Sequence, residues 1–528
     1  MHPLEIFELV IAMLLAIIGL HYIAHRLGLP PAVALLTGGS ALAFLPGLPV
    51  IALDPELVLV LFLPPLLMDG AWFLSLAHLK QHIAGILSLA VGAVVFTTAV
   101  VAVVAHLILP ELPWAACAVI GAIVSPPDAV SARAVLQRVK LPSRVSTLLE
   151  GESLFNDATG LVLFRFAVAA AVSGMFSIGE ALGSFALLAL GGAVVGVAIG
   201  ALWVLVIRRL GDEYLTIAAS SLTCWAAYIA AESVHVSGII ATVVTGLICG
   251  WYQHVLFSAN IRLRGTAFWQ VMIFLLEASV FLLIGSSLRG VIDRVGGFEV
   301  VIQQMAVPVL AIVAAMTVAR FGWVFLSDAV LGLAGRLGLT RRRRLGARAG
   351  TVLSWAGMRG VMTLAIALTL PQNVPGRDFM LVAAFAVILV TVLVQGTTLG
   401  VLIRWMHLGE ADEEEAPRKT VAEAEAAMAA AQLRAVEANA YDADGTLIHP
   451  QLLDRYQARA RISANYVGRE DHYHDGLHAH FDLVLVAIAA GRAELIRLHR
   501  AREIDEDVLH ELERDLDLEE LSALSAKA

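Results

Sequence analysis

Charge is scarce in this chain. Asp, Glu, Lys and Arg make up 15% of its 528 residues while 59% are hydrophobic, against about 25% charged and about 45–50% apolar in a soluble domain. The deficit excludes a water-soluble protein, because two or three globular domains of this total length could not cover so much apolar surface. A mean hydropathy of +0.80 calls for lipid as the solvent. Cysteine is nearly as rare. Cys117, Cys224 and Cys249 all lie in apolar stretches, which excludes a disulfide framework and reads as small buried hydrophobes. Two motifs are also missing from the apolar stretches. Without a "TVGYG"-type filter a passive channel is disfavoured, and without an "HExxH" zinc motif or another nucleophile or metal constellation an intramembrane enzyme is too.

The charge that is present is unevenly distributed. Composition changes abruptly at Gly409: residues 1–408 carry a balance of +4 and residues 409–528 a balance of −13. We read 1–408 as a transmembrane domain and 409–528 as an acidic, water-facing tail. The tail has no basic patch, which argues against nucleic acid as a partner. Its sequence reads as an acidic linker, an alanine-rich helix and one or two amphipathic helices over 480–523. His472, His474, His478 and His480 cluster there; a solvated histidine-rich loop is the simpler reading and a metal or pH site the sharper one.

A window of about 19 residues finds thirteen apolar segments, near 4–25, 30–47, 54–73, 83–109, 113–136, 145–173, 180–208, 214–233, 236–253, 267–290, 301–331, 349–370 and 378–405. Each approaches the roughly 17–25 residues of a membrane helix, so the expected fold is an all-α polytopic membrane protein. The first segment lacks a basic n-region and a small-residue cleavage site, and is expected to be a retained helix. Lys and Arg stay cytoplasmic in short loops. Sixteen of them fall in the odd-numbered loops, Arg133, Arg138, Lys140 and Arg341 to Arg343 among them, and only Arg289, Arg294 and Arg377 in the even-numbered ones. That asymmetry places the N-terminus outside and the tail in the cytoplasm.

A charged group at mid-membrane costs about 2.5–3.5 kcal/mol even on the lenient insertion scale, so those that remain need a partner or a task. In the sixth segment, "GESLFNDATG" places Glu152, Ser153, Asn156 and Asp157 within two helical turns. Ser153 and Asp157 share one face, Glu152 and Asn156 the adjoining one. A hydroxyl beside a carboxylate offers hard oxygens suited to an alkali cation or a proton. The fifth segment contains "GAIVSPPDAV", where Pro126 and Pro127 have no N–H for the carbonyls of Ala122 and Ile123. A broken helix is expected there, since irregular backbone at this depth must line a cavity or be buried in protein. Its free carbonyls and Asp128 would face the cavity of Asp157. In the twelfth segment, Gly357 and Gly360 bracket Arg359 and weaken a second helix. The two interrupted spans are seven apart and so antiparallel, the inverted-repeat geometry of a secondary transporter. Glu277, Arg165, Arg320, Asp328, Glu232 and Asp69 also lie in or near spans, and read mostly as partners of one another or as interfacial groups.

Taken together, "SPPDAV" at 125–130, "GESLFND" at 151–157, "FLLIGSSL" at 281–288 and "GMRG" at 357–360 resemble the sodium/proton exchanger family of monovalent cation:proton antiporters (NhaP/NHE type), over residues 4–408. The resemblance implies a homodimer, with a scaffold domain making the dimer contact and a mobile core domain carrying crossed broken helices. It also implies that Asp157 alternately binds cation and proton, that Asp128 and Ser153 line the Na+ site, and that Glu152 and Arg359 form a buried ion pair. Asn156 before Asp157 matches the electroneutral branch. One position departs from the family. Pro127 stands where a Thr is common, so a backbone carbonyl survives there as a ligand but the hydroxyl does not.

A carboxylate in a narrow cavity holds its proton more tightly than in water, so proton and Na+ can compete for Asp157 near neutral pH. If only the occupied form crosses, exchange is one for one. K+ in place of Na+ stays open, because the two ions differ only by cavity size and ligand number, and no cofactor is expected.

Overall fold

The computed structural model describes residues 3–45, 55–128, 141–174, 178–337, 344–408, 421–442, 444, 446–466, 470–504 and 506–527. Among them the chain is helical, apart from one isolated antiparallel bridge between Tyr441 and Leu447. It separates into two compact units, Met1–Glu413 and Glu414–Ala528.

The first unit contains α1 (Pro3–Leu27), α2 (Pro31–Ala43), α3 (Pro55–Phe73), α4 (Leu76–Ile108), α5 (Trp114–Val124), α6 (Ser143–Ser173), α7 (Ile178–Ile207) and α8 (Glu213–Ser233). It continues with α9 (Gly238–Leu256), α10 (Ala259–Val295), α11 (Phe298–Arg336), α12 (Ala347–Trp355), α13 (Val361–Leu368) and α14 (Arg377–Met406). Among the described residues nine helices are long and apolar enough to cross a membrane, and α2, α5 and most of α3 are shorter apolar helices. Within the expected fifth segment, 113–136, helix α5 ends at Val124, and residues from 129 on, with Arg133, Arg138 and Lys140, lie outside the described residues, as do Arg341 to Arg343. The twelfth, 349–370, is divided into α12 and α13 by residues 356–360.

Two proline pairs show what decides whether a helix breaks. Pro64 and Pro65 lie inside α3, which runs on through them. Pro65 cannot donate to the carbonyl of Leu61, and the indole Nε1 of Trp225 on α8 donates to it instead, at 3.3 Å. A neighbouring helix thus resupplies the lost hydrogen bond, as lipid-embedded backbone requires. Pro126 and Pro127, by contrast, end α5 at Val124. Among the described residues three helices contain a π-helical stretch, a feature concentrated at functional or inserted positions. In α4 it spans Ser88–Ala93, where the Trp323 indole donates to the Ser88 carbonyl at 2.9 Å. In α14 it spans Thr391–Gln395, beside the divided α12/α13. The third, Val301–Met305, lies near the start of α11.

The apolar core of this unit runs through α1 to α6 and α8 to α14. Cys117, Cys224 and Cys249 are buried and free within it or its satellite clusters, as small hydrophobes.

The second unit contains α15 (Val421–Asn439), α16 (Pro450–Tyr466), α17 (Glu470–Arg500) and α18 (Glu506–Lys527), which pack as two hairpins, α15 with α16 and α17 with α18. Ala429, Leu453, Ile488 and Leu495 are buried between them. Arg492 reaches Asp517 and Glu520, each at 2.6 Å, and ties α17 to α18. The linker 411–420 and the side chains of His472, His474, His478 and His480 lie outside the described residues.

Candidate functional site

Helix α6 carries the acidic motif through the middle of the first unit. Glu152, Asn156 and Asp157 are buried, Asp157 at 7% exposure, and Ser153, one turn before Asp157, is half-buried. What holds α6 against the end of α5 is close contact at a small residue: a Cβ on Gly160 would overlap the ring of Pro126. One turn earlier, the Asn156 amide Nδ2 donates to the Pro127 carbonyl at 2.5 Å. The α5 break and the Asp157 turn of α6 therefore meet, and Asp157 lies within electrostatic reach of Asp128.

The two breaks are hydrogen-bonded to each other. Asp128 N–H, which a continuous α5 would give to Val124, donates to the Met358 carbonyl at 2.7 Å. On the other side of Arg359, a Cβ on Gly360 would overlap the Asp128 carboxylate. That carboxylate sits where the N-cap side chain of α13 would be, at the positive end of its helix dipole.

Each broken C-terminus is capped by a buried arginine. Arg359, 1% exposed, donates through Nε to the Val124 carbonyl at 2.7 Å and through Nη2 to the Ser125 carbonyl at 3.0 Å. Its Nη1 donates to the Gly357 carbonyl, and its backbone N–H donates to Thr391 Oγ1 on α14 at 3.1 Å. Arg320 on α11 does the same for α12, donating to the carbonyls of Leu353 and Ser354, both at 3.2 Å. These are the orphan carbonyls that every helix end presents, held here inside the protein.

The expected pairing of Glu152 is corrected by this arrangement. Its partner is Arg320 and not Arg359: Nη1 and Nη2 of Arg320 reach the two carboxylate oxygens at 2.6 and 2.8 Å, a two-pronged contact between side chains 3% and 1% exposed. The physical reason is the capping duty above. With its guanidinium spread over the carbonyls of α5 and of the break at 357, Arg359 has turned its donors away from Glu152. Arg320 was visible beforehand only as a lone arginine in the apolar run 301–331, with nothing to say which of two arginines would reach the carboxylate.

Of the other charges in or near spans, Arg165 and Glu232 are 4.0 Å apart. Asp328 accepts from Arg344 at 3.2 Å, and Asp69 accepts from the Trp269 indole at 2.9 Å. Three groups near the breaks were not anticipated. Thr391 anchors Arg359, while Thr363 Oγ1 and Gln395 Oε1 are buried without a hydrogen-bond partner among the described residues. Asn156 Oδ1 is in the same condition. The polar letters within the apolar run 378–405 were the available signal for Thr391 and Gln395. The oxygens of Asp157, Asp128 and Ser153, with the Pro127 carbonyl, are hard donors of the kind alkali cations take. The Pro127 carbonyl already accepts from Asn156.

The family model for the sodium/hydrogen exchanger transmembrane domain matches residues 10–405. The chain belongs to the sodium/hydrogen exchanger family. Like other members it is a multi-pass membrane protein. Among its relatives, an uncharacterised Na+/H+ exchanger of Mycobacterium tuberculosis is 32% identical over 98% of this chain and 96% of its own length. A Bacillus subtilis protein named sodium, potassium, lithium and rubidium/H+ antiporter is 35% identical over 75% of this chain and 61% of its own length. The solved structure of the sodium proton antiporter MjNhaP1 from Methanocaldococcus jannaschii at pH 8 superposes with a TM-score of 0.59. It covers 77% of this chain and all of that one, at 21% identity, a likeness of fold.

Proposed function

We propose that this exchanger is a secondary transporter and not an enzyme, moving Na+, and Li+ with it, against H+ by alternating access, one for one and without a cofactor. The observation that carries the reading is a buried carboxylate, Asp157, set against two helix breaks that are bonded to each other. An intramembrane carboxylate at such a place is a transport group by default. Proton and cation compete for it, Asp128 and Ser153 complete the cation site, and Asn156 holds the Pro127 carbonyl in place. If the empty, charged carboxylate is too costly to carry through the protein, only the occupied site crosses. Exchange then ignores a membrane potential, which would otherwise act with about 2.3 kcal/mol per charge per 100 mV.

The remaining architecture belongs to the same proposal. It comprises thirteen crossings built from inverted repeats with the two broken helices crossed, a homodimer formed through the scaffold domain, and a bacterial inner membrane as the location. The charge of the loops supports an outside N-terminus and a cytoplasmic tail. K+ is a second candidate substrate, favoured by the name of the Bacillus relative. One experiment decides coupling and ion identity together: purified protein in liposomes with an acid interior, with a pH-sensitive dye followed as Na+, Li+ and K+ are added in turn. Na+ and Li+ are expected to dissipate the gradient. Dissipation by K+ alone would replace the sodium reading, and no response to any of the three would remove the exchanger reading.

A further inference from the structure

Along α6, Ser146, Glu150, Ser153 and Asp157 fall at i, i+4, i+7 and i+11, the spacing of one helix face. The first three are half-buried and Asp157 is buried. The opposite side of the helix is closed against α4: a Cβ on Gly85 would press on the buried Leu148, and a Cβ on Gly151 would overlap Ile86. Beyond Asp157 the same face turns apolar, with Leu161 one turn on and Phe164 two. Side-chain oxygens therefore lead from Asp157 toward one end of α6 and not toward the other. That end begins at Ser143 and Arg144, and the charge of the loops assigns it to the cytoplasm.

Glu150 differs from Glu152, Glu232 and Asp328. Glu152 is held by Arg320, Glu232 lies 4.0 Å from Arg165, and Asp328 accepts from Arg344. Glu150 accepts from Ser146 Oγ on its own helix at 2.9 Å, and among the described residues no cationic side chain pairs with it. A charge kept inside an apolar helix needs a partner or a task, and an uncompensated carboxylate in a narrow approach concentrates mobile cations. Seven residues at 1.5 Å each put it about 10 Å along α6 from Asp157. At that distance it acts on the local cation concentration and is too far away to coordinate the ion that Asp157 holds.

We infer that Ser146, Glu150 and Ser153 form the polar approach to Asp157 from the cytoplasmic end of α6, and that the charge of Glu150 draws alkali cations into it. This rests on exchange at Asp157 and on the proposed orientation. Glu150 is then a positioning residue: it sets the cation concentration at which exchange runs from the cytoplasm and leaves the turnover of the occupied site alone. A bare charge does not sort ions by size, so Na+ and Li+ are gathered alike.

Na+-driven proton flux tests this in everted membrane vesicles, whose cytoplasmic face is outward, and in right-side-out vesicles, both at alkaline pH where the proton competes least. Glu150→Gln keeps the size of the side chain and an acceptor for Ser146. In everted vesicles it raises the half-saturating concentrations of Na+ and Li+ about three- to tenfold, the effect of one charge at that range, with an unchanged maximal rate. In right-side-out vesicles half-saturation stays at the wild-type value, and Glu150→Asp restores it in everted ones. Accessibility gives a readout independent of transport. Ser146→Cys and Glu150→Cys react with a membrane-impermeant thiol reagent applied to the cytoplasmic face, against a wild type whose three cysteines are buried. Unchanged half-saturation in everted vesicles, an equal rise in both orientations, a fall confined to the maximal rate, or cysteines unreactive from the cytoplasmic face overturns the assignment. A wild type with no Na+-driven proton flux in either orientation removes the exchange reading itself and is a separate result.

Discussion

Removing the Glu152 carboxylate would leave Arg320 buried with only the carbonyls of Leu353 and Ser354 as acceptors. Breaking one partner of a buried pair costs about 3–5 kcal/mol, so Glu152→Gln is expected to lower both the folded yield and the melting temperature in detergent. Normal expression and melting would contradict the pairing. Replacing both partners, as in Glu152→Gln with Arg320→Gln, should recover part of that loss, because no charge is then stranded. Arg359→Ala acts through a different defect, freeing the carbonyls at the end of α5, and because Arg359 lies within electrostatic reach of both Glu152 and Arg320 its stability loss should not simply add to that of Glu152→Gln. The identities of Glu152, Asn156, Asp157 and Asp128 were legible in the sequence because charge inside an apolar run is conspicuous. The partner of Glu152 was not. Two arginines in different spans satisfy the same charge count, and only the direction of the Arg359 side chain, set by where α5 stops, separates them.

Helices here break where their freed carbonyls meet a charged cap, and continue where a neutral donor replaces the lost N–H. Sequence alone treats Pro64–Pro65 and Pro126–Pro127 as the same lesion. The distinction lies in Trp225 on a helix more than 150 residues away, which bonds Leu61, and in Arg359, which bonds Val124 and Ser125. Trp225→Phe keeps most of the ring and removes the donor, leaving the Leu61 carbonyl of a membrane helix without the replacement hydrogen bond that lipid cannot supply, at a cost of about 1 kcal/mol or more. We expect a lowered melting temperature with exchange activity retained per folded molecule, measured by thermal unfolding alongside the dye assay. Gly160→Ala should do the reverse. Its methyl meets Pro126, and overpacking at such a contact costs about 1–3 kcal/mol, here spent on moving the α5 break away from Asn156 and Asp157. Exchange should fall severalfold while most of the fold survives; an unchanged rate would show that this contact does not position the site. The break between α12 and α13 was legible from its glycines, whereas its bonds to Asp128 and Thr391 join residues far apart in sequence and could not be read from spacing.

At the scale of the whole molecule, composition carried the largest share of the outcome. The scarcity of charge foretold a helical membrane protein, and the switch at Gly409 led to the expectation of a polar tail; the chain separates into the compact units Met1–Glu413 and Glu414–Ala528. Crossing number was harder to read. Window hydropathy scores a segment by composition, and α2, α5 and the α12/α13 pair are too short as continuous helices to satisfy a length rule. Of these, α5 and the α12/α13 pair form the site, so function and legibility pull against each other there. A neutral one-for-one cycle predicts an exchange rate insensitive to an imposed membrane potential, and a steep voltage dependence would refute it. The central claim is that one side chain, Asp157, is the exchange site for both ions. Its most direct test is the Na+-driven dissipation of a pH gradient by Asp157→Asn beside the wild type, at equal folded protein in the same liposomes. The account predicts full activity for the wild type and none above empty liposomes for the variant; gradient dissipation retained by Asp157→Asn would contradict it.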